Sequence, residues 1–178
     1  MGIVKGFRCA KCGAEYPADR RAFACDACRI VLEVQMDLAG VAGRRDEILA
    51  RRDRRIWRWA EFLPIADPAH IVSLGEGGTP LVRSEALCRA AGLDRLYIKN
   101  DGLLPTGSLK DRSNAVGISK AKEWKAQVTA VVSTGNAAAS VAAYSAAAGM
   151  RAVVMVPEST APEKVAQAAT YGATIVRF

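Results

Sequence analysis

Histidine and long apolar runs are what this 178-residue sequence has least of. His70 is its single histidine, which excludes zinc-protease motifs with two histidines and leaves nucleophile–histidine catalysis one position to use. Every apolar run is interrupted well before the roughly 18 residues that a membrane span requires. No apolar signal segment follows Met1. We therefore expect a soluble cytoplasmic protein, without a membrane partner, whose chemistry rests on groups other than histidine.

Acidic residues are also in the minority, since 25 lysines and arginines face 18 acidic residues and give a net charge of +7. Residues 44–58 hold seven arginines and three acidic residues, so this segment alone supplies +4. Such a run can bind phosphate backbones or an anionic membrane surface. A solvated helix face is the simpler interpretation, and nucleic acid is therefore not the favoured partner.

Four of the five cysteines form two Cys-x-x-Cys pairs, Cys9 with Cys12 and Cys25 with Cys28. Two such loops can bring four thiolates to the corners of a tetrahedron around one zinc ion, and Gly13 permits the tight turn after the first pair. Two disulfides or a redox dithiol are the alternatives. The spacing favours a structural zinc ribbon over residues 1–35.

Beyond the ribbon, the sequence divides into a basic segment and a larger α/β domain. Within residues 36–70 the sequence predicts a helix over 44–63 followed by a linker. Residues 71–178 are expected to form part of a larger α/β domain. From residue 96 onward strands alternate with helices, which indicates right-handed βαβ units and a parallel sheet with helices on its faces. Strands are expected around Phe7 and over residues 30–34, 96–99, 128–133, 152–156 and 173–178. The helices expected in the larger domain cover residues 111–124, 137–148 and 162–171. Cys88 is expected to be a semi-buried helix residue.

One of two loops that precede helices contains a lysine suited to carbonyl chemistry. Open α/β sheets bind ligands where loops leave the strands. Lys110, in the loop 104–112, lies at a helix start, where the helix dipole together with burial favours the neutral amine that attacks carbonyls. Lys110 is therefore a candidate Schiff-base lysine. The alternative is a surface lysine paired with Asp111 or Glu76.

The second loop, residues 133–137, opens an alanine-rich helix with hydroxyls, an amide and free backbone N–H groups. This is the composition of an anion site for a carboxylate or phosphate. Asn136 could donate to a phenolate-type oxygen or cap the helix. Upstream, the glycine-rich residues 73–81 lack the Gly-Lys-Ser/Thr of a P-loop and by themselves indicate a sharply turned approach to a strand.

Together, SLGEGGTPL at 73–81, PTGSLKDR at 105–112 and STGNAAAS at 133–140 resemble the amino-terminal half of the threonine synthase family. These are pyridoxal-phosphate enzymes of the tryptophan-synthase-β-like fold, and one subgroup carries a similar cysteine ribbon. The resemblance implies an α/β protein: a partial parallel three-layer sheet of pyridoxal-phosphate fold type II, with an N-terminal zinc ribbon.

The resemblance also implies a role for each candidate residue. Lys110 would hold pyridoxal phosphate through its amine and then shuttle protons, while Asn136 would hydrogen-bond the cofactor's ring oxygen. The substrate's α-carboxylate would lie against Ser133, Thr134, Asn136 and Ala137. The implied reaction converts the amino-acid substrate O-phosphohomoserine, with water, into threonine and phosphate.

Several alternatives remain open at this point. Leu109 and Ser113 depart from the residues common in the family, so cysteate synthase, threonine dehydratase-like and other fold type II reactions are alternatives. The loop that binds the cofactor phosphate lies later in the family's chains. We therefore expect a fragment or split half, a homodimer or a complementing C-terminal half as partner, and poor retention of the cofactor by these residues alone. A zinc-ribbon nucleic-acid-binding module and a degenerate regulatory subunit are the other hypotheses.

Overall fold

A computed structural model of the chain describes residues 4–21 and 24–178. The strands are β1 (Val4–Cys9), β2 (Glu15–Pro17), β3 (Leu32–Met36), β4 (Leu81–Arg83), β5 (Tyr97–Lys99), β6 (Val128–Val132), β7 (Arg151–Val156) and β8 (Thr174–Arg177). The α-helices are α1 (Arg45–Ala50), α2 (Glu85–Ala91), α3 (Lys110–Glu123), α4 (Asn136–Ala147) and α5 (Pro162–Thr170). Short 3₁₀ turns lie at Ala39–Val41, Ile56–Phe62, Pro68–His70 and Asp101–Leu103. Among the described residues no helix is long and apolar enough to cross a membrane.

The N-terminal part forms a three-stranded antiparallel sheet in the order β2-β1-β3. Phe7, in the central strand, pairs with Tyr16 on one side and with Val34 on the other. The strands predicted around Phe7 and over 30–34 are confirmed, although the second is displaced to 32–36; β2 was not predicted. Of the predicted ribbon 1–35, residues 1–3 and 22–23 lie outside the described part of the chain.

The single helix predicted over 44–63 is wrong. Helix α1 ends at Ala50, and a 3₁₀ segment follows over Ile56–Phe62, after an extended stretch. The stretch is extended because Arg55 pairs with Gly77 as an isolated antiparallel bridge, and the Ile56 N–H donates to the Glu76 carbonyl at 3.1 Å. Contact with the glycine-rich segment therefore overrides the local helical preference.

The strand predicted at 96–99 exists, but it does not belong to the parallel sheet. Strand β5 pairs antiparallel with β4, with Val82 opposite Ile98. All six residues of these two strands are exposed. The pair therefore forms a separate small sheet, and the prediction that β5 opens the parallel series is wrong.

Strands β6, β7 and β8 form the parallel sheet in that order. Helix α4 packs on this sheet between α3 and α5. Seven of its residues are buried, which confirms that its small side chains serve close packing. The bounds of α3, α4, α5, β6, β7 and β8 agree with the sequence prediction within one or two residues. Cys88 is buried in α2, as predicted.

Gly77 makes the close approach between the basic segment and the domain possible. Its φ is +111°, and a Cβ there would lie 2.7 Å from the backbone nitrogen of Ile56 and 2.8 Å from the Cα of Arg55. Both neighbours are backbone atoms, so relieving the contact means moving the chain. Gly75 has a similar φ of +92°, but a Cβ on Gly75 would have no atom within 4 Å.

We expect Gly77→Ala to lower the free energy of unfolding by about 3 kcal/mol, and Gly75→Ala by about 1.5 kcal/mol. Both variants acquire left-handed backbone strain, but only the first also clashes with the 3₁₀ segment. Urea unfolding of the two variants measures the difference. Equal losses would show that the basic segment does not lie against Gly77.

Candidate active site and metal site

Lys110 is the first residue of α3, as predicted, but the expected burial of its side chain is wrong. The residue is exposed. Its backbone N–H donates to Ser108 Oγ at 3.3 Å, so the Ser108 hydroxyl does act near the helix start. Neither carboxylate suggested as its ion-pair partner is available, because Asp111 and Glu76 are both buried among other donors. The amine thus stands at the surface of the described residues.

Asp111 joins the Lys110 loop to the alanine-rich helix. Its carboxylate is completely buried and accepts hydrogen bonds from Thr106 N at 2.7 Å, from Thr106 Oγ1 at 2.6 Å and from Ser140 Oγ at 2.6 Å. Ser140 lies one turn beyond Asn136 in α4. The bond from Ser140 therefore fixes the first turn of α3 beside the first two turns of α4, which places Lys110 and Asn136 in the same region.

An ion pair between Arg112 and Asp101 lies beside the Lys110 loop. Arg112 donates from Nε to Asp101 Oδ2 at 3.0 Å and from Nη2 to Asp101 Oδ1 at 2.7 Å. Thr79 Oγ1 also donates to Asp101 Oδ1, at 2.7 Å. The guanidinium, followed by the threonine hydroxyl, lowers the pKa of Asp101 to about 2. Through Thr79, the pair ties the Arg112 end of the loop to the last part of the glycine-rich segment.

The loop after β6 presents unpaired polar groups, as the sequence predicts. Gly135 is the residue that precedes α4, and the Asn136 side chain does not cap the helix. The carbonyl of Gly135 accepts from the N–H groups of residues 138 and 139, so the preceding N–H groups of Asn136 and Ala137 have no intrahelical acceptor. Ser133 Oγ accepts from the Gly135 N–H at 3.3 Å. The candidate residues Ser133, Thr134, Asn136 and Ala137 all lie in this loop and the first turn of α4, with Thr134 half-buried.

Glu76, considered from the sequence only as a possible surface partner of Lys110, is buried in the structure. Its carboxylate, fully buried, accepts from Trp57 Nε1 at 2.6 Å, from Tyr144 OH at 2.8 Å and from the Leu74 N–H at 2.9 Å. Burial, together with the hydrogen bond to Glu76, raises the pKa of Tyr144 above its usual value. Glu76 thus connects the basic segment, the glycine-rich stretch and α4. In the sequence Glu76 is an acidic residue within a glycine-rich stretch, and this pattern gives no indication that its side chain is buried.

The four paired cysteines come together as predicted. The sulfur atoms of Cys9, Cys12, Cys25 and Cys28 all lie within 4.8 Å of one another. In both pairs the N–H four residues after the first cysteine donates to that cysteine's carbonyl at 2.9 Å. The two donors, Gly13 and Arg29, both have positive φ. Two equivalent turns thus present the sulfurs to one point, where they could hold a metal ion.

The thiols of this cluster influence one another strongly. Hydrogen bonds from the Tyr16 hydroxyl and the Cys28 N–H lower the pKa of Cys25 to about 6. The hydrogen bond with Cys12, together with burial, raises the pKa of Cys28 to about 12. The pKa values of neighbouring thiols thus move in opposite directions. A bound cation would favour the thiolate form of all four cysteines.

Comparison with known proteins agrees with this geometry. Residues 72–178 match the family model described as "Pyridoxal-phosphate dependent enzyme". The match covers both loops, the parallel sheet and the glycine-rich segment. The chain therefore belongs to the family of pyridoxal-phosphate-dependent enzymes.

The similar curated proteins include several threonine synthases. The chain is 43% identical over 172 residues to that of Methanocaldococcus jannaschii, covering 96% of this chain and 42% of the relative. It is 38% identical over 170 residues to that of Methanosarcina acetivorans, covering 95% and 41%. The chain therefore spans about two fifths of the length of these relatives.

Solved structures with a similar fold include other pyridoxal-phosphate enzymes. A pyridoxal 5'-phosphate-dependent aspartate racemase matches with a TM-score of 0.51 and 30% identity, over 56% of this chain and 32% of that one. Escherichia coli diaminopropionate ammonia lyase matches with a TM-score of 0.54 and 20% identity, over 61% and 35%. The predicted α/β architecture of fold type II is confirmed by these neighbours.

Replacing Asp111 by asparagine tests the joint between α3 and α4. The amide keeps one acceptor oxygen and turns an N–H₂ group towards a donor, so we expect the free energy of unfolding to fall by about 3 kcal/mol. Asp94→Asn is the control, because Asp94 is exposed and surface substitutions change stability by about 0.5 kcal/mol or less. Chemical denaturation compares them; equal stability of the two variants would exclude Asp111 as the joint.

Proposed function

We propose that this chain is the cofactor-carrying portion of a pyridoxal-phosphate-dependent lyase of the threonine synthase kind, converting O-phosphohomoserine and water into threonine and phosphate. The observation that carries the proposal is the 2.6 Å hydrogen bond between Ser140 Oγ and Asp111 Oδ1. It holds the helix start that carries Lys110 beside the helix start that carries Asn136. The 43% identity to a threonine synthase favours this reaction over that of the 30% identical racemase.

The described residues fit pyridoxal phosphate by the chemistry of their donors. An aldehyde needs a primary amine, and Lys110 supplies one that is exposed and not engaged by Asp111 or Glu76. The ring oxygen needs a donor, and Asn136 supplies an exposed amide that does not cap its own helix. When bound, the cofactor supplies an electron sink for the negative charge left on a substrate carbon that has lost a proton.

The chain's own residues would then bind and orient the substrate. The free N–H groups of Asn136 and Ala137, at the positive end of the α4 dipole, suit the substrate's α-carboxylate. The hydroxyls of Ser133 and Thr134 add further donors beside them. The Lys110 amine would be the base that accepts a proton from the substrate and returns it to a neighbouring carbon.

A complementing polypeptide portion is part of the same proposal. Strands β4 and β5 expose Leu81 and Tyr97 by 62% and 49%, and Val82 and Ile98 by 48% and 42%. Apolar strands with so much exposed surface are typical of an interface. We propose that a C-terminal α/β portion covers them and excludes water from Lys110. A homodimer of the completed protein is also proposed, by the same family likeness.

We also propose that the cysteine cluster binds a structural zinc ion. Zinc–sulfur bonds of about 2.3 Å in a tetrahedron place the sulfurs about 3.8 Å apart. The Sγ atoms of Cys12 and Cys25 are 3.7 Å apart. Four sulfur donors leave no position for substrate, so the role is structural. A reducing compartment, and hence the cytoplasm, suits such thiolates.

The nucleic-acid alternative loses support from the arginine-rich segment. Arg51 donates to Glu61 and Glu47, and Arg44 donates to the same two carboxylates. Arg58 donates to the carbonyl of Leu49 at 2.8 Å. The guanidinium groups of these three arginines are occupied within the protein, so they are not free to bind phosphates.

Reductive trapping tests the assignment of Lys110. The chain is incubated with pyridoxal phosphate, reduced with borohydride, digested and analysed by mass spectrometry. We expect the cofactor mass mainly on the peptide that contains Lys110, and loss of that signal in Lys110→Ala. Lys122→Ala, at the opposite end of α3, is the matched control and keeps the signal.

Equal labelling of all lysines would contradict the assignment. Because Lys110 is exposed in these 178 residues, water has access to the linkage and we expect it to be short-lived before reduction. A tight, long-lived absorbance of the unreduced complex would therefore contradict the proposal that another portion completes the site.

Coexpression tests the same proposal from the other side. Together with the C-terminal portion of a threonine synthase relative, we expect the chain to produce threonine from O-phosphohomoserine.

Metal removal tests the zinc proposal. The buried core of the ribbon consists of Cys9, Cys25 and Leu32, which is too small to hold its fold without the ion. We expect a strong chelator to raise the hydrogen-exchange rates of β1 and β3 while those of β6 and β7 stay unchanged. A ribbon that keeps its protection after the metal is removed would show that zinc is not structural.

A further inference from the structure

The side chain of Tyr16 reaches from β2 to the cysteine cluster. Its hydroxyl oxygen lies 3.2 Å from Cys25 Sγ, and the side chain packs on the ribbon core around Cys9 and Leu32. Cys25 is completely buried. At this distance the phenol and the buried sulfur form a hydrogen bond in which, by geometry alone, either atom could donate.

The backbone sets the direction of this hydrogen bond. The Asp26 N–H donates to the Tyr16 oxygen at 3.1 Å, so the oxygen already serves as an acceptor on that side. Its own proton is left for the sulfur. A metal-bound cysteine is a thiolate and can only accept. The Tyr16 hydroxyl therefore donates to Cys25 when the metal is bound.

Arg20 holds the ring of Tyr16 in place. Its guanidinium carbon lies 4.1 Å from the ring centroid of Tyr16, and its Nη2 pairs with Asp26 Oδ1 at 2.6 Å. A cation over an aromatic face is attracted to the electron density of the ring. Tyr16, Arg20 and Asp26 thus form one unit next to Cys25.

The charge of the cluster explains why such a donor matters. Four thiolates around a divalent cation carry a net charge of −2, and hydrogen bonds to the sulfurs spread that charge. The Cys28 N–H is a further donor to Cys25, at 3.4 Å. We propose that Tyr16 is a positioning residue of the metal site, whose hydroxyl stabilises the metal-bound thiolate of Cys25. This inference rests on the proposed binding of a metal by the four cysteines.

The test is Tyr16→Phe in the full chain, which removes the hydroxyl and keeps the ring under Arg20. Tyr97→Phe, on the exposed strand β5, is the matched control. Zinc affinity is measured by competition with a chelator, and cobalt(II) is used as a spectroscopic probe of the sulfurs. We expect zinc binding about 10-fold weaker in Tyr16→Phe, as for the loss of other outer-shell partners. The sulfur-to-cobalt charge-transfer band should move to lower energy, because more charge stays on the sulfur.

The outcomes separate this inference from the proposal on which it rests. If the unmodified chain binds neither zinc nor cobalt, the metal site itself is wrong. If it binds both and Tyr16→Phe matches Tyr97→Phe in affinity and spectrum, the role of Tyr16 is wrong. Weaker zinc binding with an unmoved cobalt band would mean that Tyr16 only packs against the ribbon, which also overturns the inference.

Discussion

A buried carboxylate must be surrounded by donors, and that constraint on Asp111 organises the candidate active site. The side chain is fully buried with bonds of 2.6–2.7 Å to Thr106 and Ser140. Its neighbour in the chain is Lys110, and its partner Ser140 lies one helical turn from Asn136. Since losing a partner of a buried charge is costly, the two helix starts have little freedom to separate. The carboxylate therefore fixes the relative position of the amine and the amide without contacting the ligand itself.

Glu76 applies the same constraint to the N-terminal part of the chain. It collects donors from Trp57 in the 3₁₀ segment, from the glycine-rich stretch and from Tyr144 in α4. Gly77 allows the backbone of the basic segment to pass close beside it. The glycine-rich residues thus have a structural role that does not depend on any ligand, because they form the surface on which the basic segment lies. Through Tyr144, this contact reaches the helix that begins with Asn136.

The sequence predicted best where the governing interactions are local. The Cys-x-x-Cys spacing determines the two turns of the ribbon, and the alternation of apolar strands with helical segments determines α3 to β8. It failed where distant residues decide. The helix expected over 44–63 is interrupted because Arg55 pairs with Gly77. The burial of Glu76 depends on Trp57 and Tyr144, far from it in sequence. Lys110 was expected to be buried, but it is exposed among the described residues. The prediction failed because the sequence of a loop does not show which other segments pack against it.

We propose that Lys110 and Asn136 act on the same bound cofactor. The decisive measurement is a crystal structure of the borohydride-reduced protein that carries the pyridoxyl group and is combined with the proposed C-terminal portion. We expect the group to be attached to Lys110 Nζ, with its ring oxygen about 3 Å from the side-chain amide of Asn136. A group attached to another lysine, or a ring on Lys110 directed away from the first turn of α4, would contradict it.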